Sequence, residues 1–139
     1  MRTTVPAFLL ALLAGASAQA AQVTVTVSNA VAGRGEIRAS IFDGAAAFDK
    51  GDDPVAAVRL RVHGEGGTFA FDLPEGRYVV RVFQDIDRDG KLGTNMLGIP
   101  SEPFGFSNDA MGTMGPPSFD QAVVAVGAEP TAIRINLRR

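Results

Sequence analysis

The strongest constraint on the fold is a period of two that recurs in short runs and stops at turn residues. Val23, Val25 and Val27 alternate with Gln22, Thr24 and Thr26, which gives an extended segment one apolar and one polar face. Ile37, Ala39 and Ile41 alternate with Glu36, Arg38 and Ser40, and Val58, Leu60 and Val62 with Arg59 and Arg61. Thr68 to Leu73 turns Phe69, Phe71 and Leu73 to one side. The runs are separated by Ala32-Gly33-Arg34-Gly35, by Asp43 to Pro54, by His63-Gly64-Glu65-Gly66-Gly67 and by Pro74-Glu75-Gly76. These are residues that turn the chain. Strands over 22–29 and 36–42 are expected to pair as a hairpin, and Gly44 to Phe48 suits a helical turn.

In Arg77 to Gln84, Tyr78, Val80 and Val82 share one face while Val79 and Phe83 make the other apolar as well. That pattern predicts a central strand covered on both sides. The segment from Asp85 to Ser118 has no period and holds glycines at 90, 93, 98, 105, 112 and 115 and prolines at 100, 103, 116 and 117. An irregular loop of that length points to function, to disorder or to organisation by a ligand. Within it Phe104-Gly105-Phe106 alternates like a strand, and Phe104, Phe106 and Phe119 are expected to pack beneath the loop. Phe119 to Val126 and Thr131 to Leu137 read as a last hairpin around Gly127-Ala128-Glu129-Pro130.

The expected fold is all-β: a single antiparallel β-sandwich of about seven strands, immunoglobulin-like or transthyretin-like, with one long irregular loop. A small barrel is the alternative.

At the N-terminus, Met1 and Arg2 precede the apolar run Val5 to Ala14 and the small-x-small sequence Ala18-Gln19-Ala20, the pattern of a secretory signal peptide cleaved before Ala21. About ten apolar residues are half of what a spanning helix needs, so no membrane anchor is expected after cleavage. Residues 1–20 are thus assigned to a signal peptide and 21–139 to one domain, exported to a periplasm or secreted. Without Arg2, 12 basic residues face 15 acidic ones. This small negative balance gives no reason to expect a nucleic-acid partner or an anionic membrane. Cysteine is absent, which removes disulfides, thiol nucleophiles and thiolate metal sites.

Asp85-Ile86-Asp87-Arg88-Asp89-Gly90 matches the opening D-x-D-x-D-G of calcium-binding loops. Carboxylates at alternate positions of a curled loop converge on one point, and the glycine permits the sharp turn. The candidate ligands are the side chains of Asp85, Asp87 and Asp89 and the carbonyl of Lys91, with Asn95 or Glu102 to complete the shell. The twelfth position is Met96, where an EF-hand has glutamate, and the loop follows a strand, so this is no EF-hand. The competing reading is a solvated acidic turn closed by local Asx hydrogen bonds. If calcium binds, Asp85→Ala is expected to lower thermal stability only in its presence.

The run Gly76-Arg77-Tyr78, Asp85 to Leu92, Asn95, Gly98-Ile99-Pro100, Glu102 and Gly105-Phe106-Ser107-Asn108 resembles the signature of a bacterial family known as domain of unknown function 2141. Asp87 and Asp89 stand where that pattern often has asparagine, and Gly93 where it often has aspartate. The resemblance covers about Val23 to Leu137. It implies an exported β-sandwich and names no activity.

Three function classes follow. The first is a non-catalytic exported module stabilised by calcium at the Asp85 to Asn95 loop. The second is an interaction module for a protein or glycan without metal, using strand edges or the segment with Met111 and Met114. The third is a hydrolase, which would need His63, the sole histidine, or an acidic pair from Asp85, Asp89 and Glu102. No enzyme is expected, because a histidine in a glycine-rich turn is ordinarily a solvated side chain.

Overall fold

The computed structural model describes residues 19–139. The expected signal peptide lies outside the described residues except for Gln19 and Ala20. The chain is mostly β, in two sheets that are mostly antiparallel and do not close into a barrel. In chain order the elements are β1 (Ala21–Ser28), β2 (Glu36–Phe42), α1 (Ala45–Lys50), β3 (Ala56–Arg61), β4 (Gly67–Leu73) and β5 (Gly76–Asp85). After these come β6 (Phe104–Phe106), a 3-10 turn (Ser107–Asp109), α2 (Phe119–Ala122), β7 (Val124–Val126) and β8 (Thr131–Asn136).

One sheet has the order β4-β1-β8 and the other β3-β2-β5-β6, with β7 on the same edge of β5 as β6 but nearer its start. The alternating residues do what their period requires. Val23, Val25 and Val27 from β1, Ile133 and Ile135 from β8, Ile37, Ala39 and Ile41 from β2, and Val80 and Val82 from β5 are buried in one cluster that both sheets share. At about 1.5–3 kcal/mol for each large apolar side chain removed from water, this shared core is the main favourable term.

Two expected hairpins do not form. β1 and β2 are consecutive but lie in different sheets, and β8 pairs in parallel with β1, 108 residues away, while β7 pairs with β5. The hydrophobic period determines which face is buried but not which strand lies alongside. The expected strand over 119–126 begins as a helix, because the Ser118 side chain accepts from the Gln121 N–H and the Gln121 side chain accepts from the Ser118 N–H. That is a capping box of the Ser-x-x-Gln kind. The suggested helical turn near 44–48 is α1, closed by Gly51 in a left-handed conformation.

β5 is central, as its two apolar faces imply. Its outer face carries Val79 into a second cluster with Phe42, Phe48, Phe106, Phe119 and Ala122. The Phe48 ring meets those of Phe42, Phe106 and Phe119 edge-on. α1 and α2, packed on Phe42, Val79 and Phe106, thus cover one end of the outer face of the five-stranded sheet. The acidic loop leaves from the far end of β5.

Candidate functional site

β5 ends in two consecutive polar residues, Gln84 and Asp85, neither of which has exposed surface. Being neighbours on a strand, they point to opposite faces and organise different loops. Gln84 Nε2 donates to the carbonyls of Val31 (2.8 Å) and Arg34 (2.7 Å), and its Oε1 accepts from the Val31 N–H at 2.7 Å. This fixes the connection from β1 to β2. Gly35, at φ +60, lies so close to the Asp85 carbonyl that any Cβ would collide with it.

Asp85 organises the acidic loop. Its Oδ2 accepts from Arg38 Nε at 2.7 Å and from the Gly90 N–H at 2.9 Å, and its Oδ1 accepts from the Asp89 N–H at 3.1 Å. Arg38 in turn reaches Glu36 at 2.8 Å. Asp87 Oδ1 also accepts from the Asp89 N–H (3.3 Å), and Asp89 Oδ1 accepts from the Lys91 N–H (2.9 Å). These are successive Asx turns, curled by Arg88 and Gly90 at positive φ. The expected convergence is present: Asp85, Asp87 and Asp89 each offer a carboxylate oxygen, and these lie within 4.8 Å of one another. Asp85 is buried and the other two are exposed.

The charges in this group are unevenly compensated. Burial pushes the Asp85 carboxyl upward, but the Gly90 N–H, the Arg38 guanidinium and contact with Asp87 together hold it below its ordinary 3.8. At Asp87 the Asp89 N–H favours ionisation. Partial desolvation, contact with Asp85 and the charges of Asp89 and Glu102 outweigh it and raise the pKa.

Glu102 stands outside the group of three. It is buried, with Oε1 accepting from the Ile86 N–H at 2.9 Å and Oε2 from the Gly93 N–H at 2.8 Å. It therefore ties together the two limbs of the loop. Asn95 closes the tip, its Oδ1 accepting from the N–H groups of Leu97 (2.9 Å) and Ile99 (3.1 Å). Lys91 enters through its N–H to Asp89.

The Gly-Phe-Ser-Asn run acts further along. Ser107 Oγ accepts from the Val80 N–H at 3.0 Å and donates to the Ala122 carbonyl. Asn108, at φ 61, donates to the Val123 carbonyl at 2.9 Å. Asp109 accepts from the backbone and side chain of Asn136 at 2.8 and 2.9 Å. These contacts join β5, β6, α2, β7 and β8 at one corner.

A bacterial family described as uncharacterized protein conserved in bacteria, DUF2141, matches residues 25–134. The chain belongs to this family. No curated protein and no solved structure matches it significantly. The DUF2141 match runs from within β1 to within β8 and so contains the acidic loop, Glu102 and the Ser107 corner.

His63 lies in the β3–β4 connection, where its backbone exchanges hydrogen bonds with Gly66 at 2.8 and 3.1 Å. It borders neither of the two cavities beside Arg81. The apolar side chains with most exposed surface are Met96, Leu97, Ile99, Met111 and Met114, with Val55. Among the described residues no helix is long and apolar enough to cross a membrane. Sequence reasoning missed Arg38 and Gln84 as organisers of the site. Arg38 reads as one polar residue on an alternating strand, and no local signal marks its partner 47 positions away.

Proposed function

We propose that the chain is an exported, non-catalytic β-sandwich module, immunoglobulin-like or transthyretin-like in type, whose acidic loop is organised by calcium. The observation that carries this reading is the convergence of the Asp85, Asp87 and Asp89 oxygens within 4.8 Å of one another. Oxygens about 2.4 Å from a shared ion lie at most about 4.8 Å apart. The donors are hard oxygens, and exposure of Asp87 and Asp89 leaves room for the waters calcium ordinarily keeps. The raised Asp87 pKa is an electrostatic cost that a bound cation would remove.

Within this reading Asp85, Asp87 and Asp89 hold the ion, with the Lys91 carbonyl as a further oxygen donor, while Asn95 closes the loop tip as long as its Oδ1 keeps the N–H groups of Leu97 and Ile99. Glu102 supports the loop through Ile86 and Gly93 while its oxygens keep those bonds. The position of His63 in a turn, away from both cavities, favours a non-catalytic module over a hydrolase. Thermal unfolding in EDTA and across a calcium titration, with magnesium as control, tests the reading. A calcium-specific rise in Tm is expected from linkage, and an unchanged midpoint overturns the metal role.

A second reading is an interaction module for a protein or glycan without metal. It is favoured by Met96 and Met114, whose side chains are fully exposed at 103% and 100%. Long flexible thioethers suit an adaptable contact surface.

A further inference from the structure

The outer face of the five-stranded sheet gathers positive charge that the protein does not neutralise. Val58 and Leu60 pack on the shared core, so Arg59 and Arg61 point outward, beside Arg38 on β2 and Arg81 on β5. Arg59 stands directly opposite Arg38, and Arg61 opposite Glu36. Like charges opposite one another in a sheet repel. Arg38 is held by Glu36 and Asp85, but among the described residues no ion pair forms at Arg59, Arg61 or Arg81. This concentration occurs in a chain of formal net charge −2.

Arg81 is the centre of the face. Its guanidinium lies 5.0 Å from the centroid of the buried Phe42 ring, and its nearest oxygen partner is the Gly51 carbonyl at 3.4 Å. No carboxylate offsets its half-buried charge, and burial lowers its pKa. Concave spaces open on both sides of it. One, of about 270 Å³, is bordered by Arg81, Lys91, Leu92, Phe83 and Phe104. The other, of about 300 Å³, is bordered by Arg81, Arg38, Arg59 and Ser40. Gly51, which caps α1, lies beside Arg81, and Gly90 of the acidic loop borders both spaces of this groove.

We propose that this groove binds an organic oxyanion: a carboxylate or phosphate group held by Arg81 and Arg59, on a ring or apolar body seated against Phe83, Leu92 and Phe104. A planar guanidinium presents paired donors that fit either oxyanion. The apolar wall beside Lys91 distinguishes the site from a simple patch of surface charge.

Calorimetric titration of the purified protein tests this, carried out in metal-free buffer after EDTA treatment and complete removal of the chelator, so that the result does not depend on the calcium reading and no polycarboxylate competes with the probes. The probes are phenyl phosphate, benzoate and neutral benzyl alcohol. Saturable binding of an anionic probe that weakens with added salt is expected, and the tighter of the two anions identifies the preferred oxyanion. Arg81→Gln should weaken binding at least about tenfold, as loss of one charge-assisted contact implies. Should Arg81→Gln fail to fold, the exposed Arg59→Gln and Lys91→Gln each weaken binding several-fold. Arg134→Gln, on β8 of the other sheet, leaves it unchanged. Failure of both anions to bind, equal binding of benzyl alcohol, or undiminished binding by the folded groove variants would overturn the proposal.

Discussion

Arg38 Nε lies 2.7 Å from Asp85 Oδ2, joining adjacent strands β2 and β5 at a carboxylate with no exposed surface. The same carboxylate accepts from the amides of Asp89 and Gly90. It is therefore part of the folded framework whether or not an ion binds.

Asp85→Ala removes these bonds together. It is expected to destabilise the protein by about 2–4 kcal/mol in EDTA, since hydrogen bonds to charged groups are worth about 1.5–3 kcal/mol each and Arg38 keeps Glu36. This replaces the sequence-based expectation of a loss confined to calcium buffer. Urea unfolding in EDTA measures it, and a loss below about 0.5 kcal/mol would show that the loop closes without Asp85.

The opposite pKa shifts of Asp85 and Asp87 predict a pH signature. Asp85 is held below 3.8, so its stabilisation is complete above that value and disappears as pH falls through the lower folded pKa. Asp87 is raised, so the folded state opposes its ionisation, and stability falls as pH rises from 3.8 through the folded pKa. In EDTA, Asp87→Asn should accordingly have a higher Tm than the parent at about pH 7 and no advantage at about pH 3. Calcium should raise its Tm less than the parent's. Scanning both proteins at the two pH values checks the sign, and an advantage confined to low pH would contradict it.

Leu73 closes β4 against the shared core and is 5% exposed. Leu73→Ala should cost about 2–5 kcal/mol through lost burial and the cavity left behind. The loss should be equal in EDTA and in calcium, which makes this variant the control for the loop substitutions. A calcium-dependent difference would mean that β4 and the acidic loop are coupled.

Ser107→Ala should cost about 1–3 kcal/mol, because it leaves the buried Val80 N–H without its acceptor and the Ala122 carbonyl without its donor. Hydrogen exchange should show faster exchange at Val80. Unchanged protection there would mean that water or a backbone shift replaces the hydroxyl.

The strands were legible where side chains alternate. The runs with Val23, Ile37, Val58, Phe69 and Tyr78, and the final run with Ile133, became β1 to β5 and β8. The loop chemistry was legible too, because D-x-D-x-D-G creates its curl through contacts two to five residues apart. Phe104-Gly105-Phe106 became β6 with Phe106 buried, as its alternation implied. The capping box at Ser118 and Gln121 was equally local but was masked by the β-like residues that follow it.

Strand partners were decided only by the tertiary structure. Nothing near Val25 states that Ile133 will lie beside it in parallel. That choice follows from closing one core between two sheets, where burial of all the apolar faces at once outweighs any preference of neighbours in sequence. The same holds for Arg38 with Asp85 and for Glu102 with Ile86 and Gly93. By itself the sequence determined the alternating faces, the turns and the acidic curl, because these depend on periodicity and short-range hydrogen bonds. The folded structure decided which strands pair, which carboxylates are buried and which arginines share a groove, because those relations exist only after distant segments are packed together.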